Sequence, residues 1–274
     1  MTARTGEDER GHLGAVGFIG AGNMAAAILA NIYDRSYVVA SRRSINALRA
    51  LEDAYGIKTT TDNGEVVRRT DTVFICVKPQ SLDELFEELA GIDFSQKLVI
   101  SILAGKPIST FTSHLDNCTR VVRAMPNLGL LVGKGATAYA LSDGCLPADG
   151  KLAHTLLNAG AVAMRVEERD IDTITALSGC GPAFLSYFLG AMQAAAIDRG
   201  LDPSVAKALL FQTVAGTYEY LSRNDAAYDA FIAKVASKGG ATQAGLDAGK
   251  EAGICGSIEK MMDAAIRRSR ELGS

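Results

Sequence analysis

The sequence predicts an α/β protein in two parts, a parallel sheet covered by helices on both faces followed by an all-helical domain. Three observations carry this. Short apolar runs alternate with helix-like segments from Ala15 to about residue 141. A glycine turn, Gly20-Ala21-Gly22, joins the first apolar run to the first helical segment. From about Asp170 the strand-like runs stop, and Ala-rich stretches with apolar residues at three- and four-residue spacings replace them. Apolar strands without alternation are buried on both faces, which is the condition of a parallel sheet between layers of helix. At 274 residues the chain has the length of two ordinary domains.

Taken in order, Ala15-Val16-Gly17-Phe18-Ile19 stops at glycines and reads as a strand, and Asn23 to Tyr33 has the Ala, Ile and Leu density of a helix. Tyr37 to Ala40 reads as a second strand, Ile45 to Tyr55 as a helix, and Thr72 to Val77 as a third, buried strand ending at Lys78-Pro79. A helix over Leu82 to Ala90 leads into a strand at Lys97 to Ile102. Arg120 to Met125 and Ala136 to Ala140 extend the sheet. Beyond it, helices are expected at Pro182 to Ile197, Pro203 to Arg223, Tyr228 to Val235 and Thr242 to Arg270. Phe184-Leu185-Ser186-Tyr187-Phe188-Leu189 is apolar around most of a helix, so such segments must be covered on more than one side. The second domain is therefore expected to form a homodimer through its helices, a unit from which a higher oligomer could be built.

Charged residues make up 22% of the chain, the formal net charge is −3 and no dense basic run occurs, which argues against nucleic acid as a partner. No stretch of about 18 uninterrupted apolar residues is present, so no membrane span is expected. Residues 1–14 are polar, lack the apolar stretch of a secretory signal and read as a flexible leader, which places the protein in the cytoplasm. Cys76, Cys118, Cys145, Cys180 and Cys255 are scattered without CxxC pairing, an odd set that suits buried reduced thiols better than disulfides. His12, His114 and His154 fall in the leader, a turn and a helix, so no metal site is expected.

Directly after Ile19, Gly20-Ala21-Gly22-Asn23-Met24-Ala25 has the spacing of a dinucleotide fingerprint and lies where one must lie, between a strand and a helix. The first glycine makes the tight turn and the second lets backbone approach a pyrophosphate. The helix that follows aims free N–H groups and a partial positive charge at it. Residues 15–169 are thus expected to form a Rossmann dinucleotide-binding domain and 170–274 a helical substrate-binding and dimerisation domain. The end of the second strand selects the dinucleotide. An Asp or Glu there would bind both ribose hydroxyls, but this chain has Ser41-Arg42-Arg43, a hydroxyl and two guanidinium groups suited to a 2′-phosphate. NADPH is favoured over NADH.

A second glycine turn lies in Ser237-Lys238-Gly239-Gly240-Ala241-Thr242. Such a turn at a helix start leaves backbone N–H groups available for a carboxylate and sets two hydroxyls beside them. As structure alone it is also an ordinary helix N-cap with Thr242 in the first turn.

With these residues in hand, the chain resembles the pyrroline-5-carboxylate reductase family from Ala15 onward. The resemblance rests on Val16 to Met24, Val77-Lys78-Pro79-Gln80, Val122-Arg123-Ala124-Met125-Pro126-Asn127, Leu177-Ser178-Gly179-Cys180-Gly181-Pro182-Ala183 and above all Ser237 to Thr242. It implies hydride transfer from NADPH to the C=N carbon of 1-pyrroline-5-carboxylate, giving L-proline in the last step of proline biosynthesis. It implies that Thr242 contacts the ring nitrogen, that Ser237, Gly239, Gly240, Ala241 and Thr242 hold the carboxylate, and that Asn63, Val77, Lys78 and Ala104 join the dinucleotide site. It further implies a site built across a dimer of interleaved helical domains. Where the family continues Thr-Pro after Met125-Pro126-Asn127, this chain has Leu128-Gly129, and Cys180 stands for a small residue, commonly Ser. Two other readings share the domain plan: a 3-hydroxyacid dehydrogenase, which relies on a Lys in the first helix after the sheet, where Pro182 to Ile197 has none, and a non-catalytic NADPH-binding regulator.

Overall fold

The computed structural model describes residues 14–32, 35–225 and 227–273. Nearly all of the expected leader, with His12, and the end of the first expected helix at Tyr33 lie outside the described residues. The chain divides into two compact units, one running to Cys180 and resuming at Ala265, the other spanning Gly181–Ala264. Ile171 is buried among the apolar residues of the sheet's core, so the segment before Cys180 stays with the sheet.

The first unit is an eight-stranded sheet built from β1 (Val16–Ile19), β2 (Val38–Ser41), β3 (Lys58–Thr60), β4 (Thr72–Ile75), β5 (Leu98–Ser101), β6 (Val121–Pro126), β7 (Gly135–Leu141) and β8 (Ala161–Arg165), in the order β3-β2-β1-β4-β5-β6-β7-β8. Every neighbouring pair is parallel except β6 and β7. The expectation of a purely parallel sheet is corrected there. The link between β6 and β7, residues 127–134, is a short 3-10 turn, too brief for the crossover of about a dozen residues that a parallel return requires.

Six helices cover the sheet: α1 (Asn23–Asn31), α2 (Ile45–Tyr55), α3 (Asn63–Arg69), α4 (Leu82–Leu89), α5 (Ile108–His114) and α6 (Pro147–Asn158). Strands β1, β2, β4 and β5 are buried at every residue, which is why they read as unbroken apolar runs. Alternate residues feed the two layers. Phe18, Phe74, Ile100 and Val122 pack with Ile28 and Leu29 of α1 and Leu156 of α6, while Ile19, Ile75 and Val99 pack with Val66 of α3, Leu85 and Leu89 of α4 and Phe111 of α5. Phe18 and Phe74 are register partners on β1 and β4, stacked with centroids 4.7 Å apart. Strand order reverses between these two strands, and in open sheets such a switch point is where ligands bind, at the carboxyl ends of the strands.

After β8 the chain forms α7 (Ile171–Ile174) and one π-helical turn, Thr175–Gly179. The second unit holds α8 (Gly181–Ile197), α9 (Pro203–Asn224), α10 (Tyr228–Val235), α11 (Ala241–Glu251) and the first part of α12 (Ile254–Gly273). The single helix expected over Thr242 to Arg270 is broken, because Gly253 takes the left-handed conformation, φ +71°, that ends α11. Ala206 alone among the described residues of this unit is buried; Leu185, Tyr187, Leu209 and Tyr218 are exposed. The helical run 168–197 is, by length and composition alone, long and apolar enough to cross a membrane, although it contains no uninterrupted apolar stretch of the kind sought in the sequence. Ser, Thr and Gln residues interrupt its apolar run while the mean hydropathy stays at 1.3.

Candidate functional site

The turn after β1 is fixed by backbone. The N–H groups of Gly20 and Ala21 both donate to Ser41 O, at 3.1 and 3.0 Å, and that of Gly22 donates to Gly20 O at 2.7 Å. Gly20 has φ +78°, and a Cβ there would stand 2.7 Å from Val77 Cγ1 and 2.9 Å from its Cα, so only glycine fits. Gly22 is different. Its φ is −92°, and the nearest atom to a Cβ would be 3.8 Å away, so the fold itself does not require glycine. Its bare Cα instead keeps space open over the start of α1, where Gly22 is the N-cap and no side chain caps the first N–H groups. Those groups form a seat for an anion.

Beside this turn lies a cleft of ≈ 340 Å³ lined by Gly20, Gly22, Arg42, Arg43, Asn63, Val77 and Lys78 of the expected residues, together with Ser44, Cys76, Ser81, Glu84, Leu85 and Glu88. A glycine cradle, an uncapped helix start and three cationic side chains suit a phosphorylated dinucleotide. Ile19 and Ala21 have buried side chains and can offer only backbone. Asn23 and Met24 form the first turn of α1, and Ala104 follows β5; none of the three lines the cleft. Ser41, expected to meet a 2′-phosphate directly, is fully buried. Its Oγ donates to Asn63 Oδ1 at 2.6 Å, and Asn63 Nδ2 donates to Glu88. Ser41 therefore reaches the cleft only through Asn63, and its carbonyl anchors the glycine turn.

Sequence reasoning missed the acidic wall. Glu84, Leu85 and Glu88 lie at i, i+1 and i+4, a spacing that puts them on one side of α4, and this spacing was the available signal. Cys76, half-buried, also lines the cleft, and burial pushes its thiol pKa above the ordinary range. The other cysteines only partly meet the expectation of burial: Cys118 is buried, Cys145 and Cys180 are half-buried and Cys255 is exposed.

In the second unit, Gly240 caps α11 with no side-chain hydrogen bond, and Thr242 is the second residue of that helix. Gly239 has φ +75°, and Gly240 N–H closes the turn on Ser237 O at 3.0 Å. A Cβ on Gly240 would lie 2.5 Å from Ser237 Oγ, so the hydroxyl rests against the bare glycine at the helix start. Uncapped amides, the Ser237 hydroxyl and the exposed Thr242 together make an anion seat with two hydroxyls.

At the end of β6 the Asn127 side chain acts as a clamp. Its Oδ1 accepts from Gly129 N and Ala136 N at 3.1 Å each, and its Nδ2 lies 3.2 Å from both Ser178 O and Ser178 Oγ. Gly129 is explained by this geometry. A proline would lack the donating N–H, and any Cβ would lie 2.4 Å from Lys134 O. The first helix of the second unit, α8, contains no Lys.

Residues 168–272 match the protein family described as pyrroline-5-carboxylate reductase dimerisation, and residues 15–105 match that described as NADP oxidoreductase, coenzyme F420-dependent. The chain is 36% identical to a pyrroline-5-carboxylate reductase of Methanosarcina acetivorans over 94% of its own length and 97% of that protein's. Its fold matches a crystal structure of a pyrroline carboxylate reductase of Plasmodium falciparum with NADP bound, at TM-score 0.86, 26% identity and coverage of 95% and 98% of the two chains. It also matches a pyrroline-5-carboxylate reductase of Coxiella burnetii, at TM-score 0.83, 30% identity and coverage of 96% and 100%.

Proposed function

Because the chain belongs to the pyrroline-5-carboxylate reductase family, we propose that it reduces 1-pyrroline-5-carboxylate to L-proline with NADPH, the last step of proline biosynthesis. The observation that carries this reading is the uncapped start of α11 with Ser237 Oγ against Gly240, a carboxylate seat on a chain that also has a dinucleotide cleft.

The dinucleotide, when bound, supplies the hydride. The chain's residues bind and orient. Arg42 and Arg43 take the 2′-phosphate, the N-terminal amides of α1 take the pyrophosphate, and Asn63, Val77 and Lys78 line its path. Ser237 and the amides of residues 239–242 hold the carboxylate of the imine. Thr242 Oγ1 hydrogen-bonds the ring nitrogen. A protonated imine is already electrophilic, so placing its carbon supplies much of the catalysis. Thr is a poor acid, and the proton comes from solvent.

The exposed faces of the second unit are covered by a second copy of the chain, giving a homodimer through the C-terminal helices that acts in the cytoplasm. The test is to follow the loss of reduced-nicotinamide absorbance with pyrroline-5-carboxylate, then with other cyclic imines, then the reverse direction with 3-hydroxyacids. Turnover with the first supports the reading. Silence with every imine overturns it.

A further inference from the structure

Resting on the reading of the cleft as a nicotinamide dinucleotide site, we propose that Glu84 is a specificity-determining residue that holds back affinity for the 2′-phosphorylated dinucleotide. Arg43 is already engaged across the cleft wall. Its Nη1 lies 3.3 Å from Glu84 Oε2 and its Nη2 3.5 Å from Ser81 Oγ, so α4 and the residue that caps it supply both partners. Arg43 and Glu84 line the same cleft. A 2′-phosphate seated on Arg43 must share or displace Glu84 and meets a carboxylate of its own sign beside the guanidinium. The dinucleotide that lacks this phosphate meets no such repulsion, because a ribose hydroxyl can donate to a carboxylate. Arg43 and Glu84 are both exposed, with side chains 80% and 58% accessible, so the pair exchanges readily and its field is screened by salt. Glu84 thus acts on one dinucleotide and spares the other.

The test is fluorescence titration of NADPH and NADH binding to the whole protein, in low salt, for wild type, Glu84→Gln and Asp83→Asn. Gln keeps the shape and an acceptor for Arg43 while removing the charge. Asp83 sits in the same helical turn but does not line the cleft. Glu84→Gln is expected to tighten NADPH about three- to tenfold, to move NADH less than about twofold, and to lose most of this effect at about 0.5 M salt. Asp83→Asn is expected to change neither. Equal tightening of both dinucleotides, or of neither, overturns the role of Glu84. A wild type that binds NADH as tightly as NADPH would overturn the cofactor preference instead, while the shift in the ratio on Glu84→Gln would still decide the proposal.

Discussion

Arg123 Nη2 lies 2.7 Å from Asp172 Oδ1, and that same oxygen accepts the Ser269 hydroxyl at 2.9 Å. One carboxylate thereby joins β6, α7 and the last turns of α12. Arg123 is buried, and its Nε has no partner among the described residues, so the guanidinium depends on Asp172 and on Glu168 at 3.5 Å. Asp172→Ala should cost about 3 kcal/mol, because it strands a buried cation, and Ser269→Ala about 1 kcal/mol. Urea unfolding monitored by circular dichroism measures both, and equal losses would contradict the arrangement.

The two glycines of the first turn should separate folding from binding. Gly20→Ala forces a side chain into the left-handed region and against Val77, so its melting temperature should fall, by the equivalent of about 1–2 kcal/mol from the backbone alone. Gly22→Ala should melt with the wild type yet bind NADPH at least about tenfold more weakly, since its Cβ fills ligand space. Calorimetry and a binding titration on the two variants check this.

Thr242→Ala should reduce turnover about tenfold to a hundredfold, with the NADPH dissociation constant within about twofold of wild type. Ser237→Ala should chiefly raise KM for the imine, by about tenfold, through the lost hydrogen bond to the carboxylate. Unchanged turnover in Thr242→Ala would remove that hydroxyl from the reaction.

Acid should unfold the sheet unit partly through Asp149. Burial raises its pKa, but hydrogen bonds from Arg120 and Leu146 N–H outweigh it and hold the carboxyl below its ordinary value. A depressed carboxyl contributes stability above the unfolded pKa, about 4, and loses it as pH falls through the folded value. Asp149→Asn should therefore be less stable than wild type at pH 7, with the gap closing below about pH 4. Denaturant midpoints across that range give the answer.

Light scattering at micromolar protein should give at least a dimer mass in buffer without detergent. Leu185→Glu combined with Leu209→Glu places charges on exposed apolar positions of α8 and α9 and should shift the mass towards monomer. A wild-type monomer, or partition into lipid vesicles, would contradict burial against a second copy.

What could be read without a structure follows from where each element sits. β1, β2, β4 and β5 declare themselves because both their faces are dry, and the glycines at 20 and 22 because their spacing has a mechanical meaning. β3 is a polar three-residue edge strand, and nothing in Lys58-Thr59-Thr60 distinguishes it from a loop. The direction of β7 depends on the length of a link, and the burial of Ser41 on what packs over the end of β2. Both are tertiary facts. Glu84 and Glu88 escaped notice because the acids that wall the cleft come from a helix far along the chain, not from the end of β2 where such an acid is usually sought.

Ser269 also touches a second neighbour. Its carbonyl stands where a Cβ on Gly105 would be, 2.3 Å away, and a Cβ on Gly273 would be equally close to Gly105 O. The last turns of α12 are thus bricked into the floor of the sheet unit, so that unit cannot be complete until residues 265–273 have been made. A fragment ending at Cys180 should misbehave although it carries every strand, whereas a shortened gene that splices residue 180 to 265 through a flexible linker should yield a well-behaved nucleotide-binding module. A lesion confined to residues 269–273 would strike the unit that begins at the other end of the sequence.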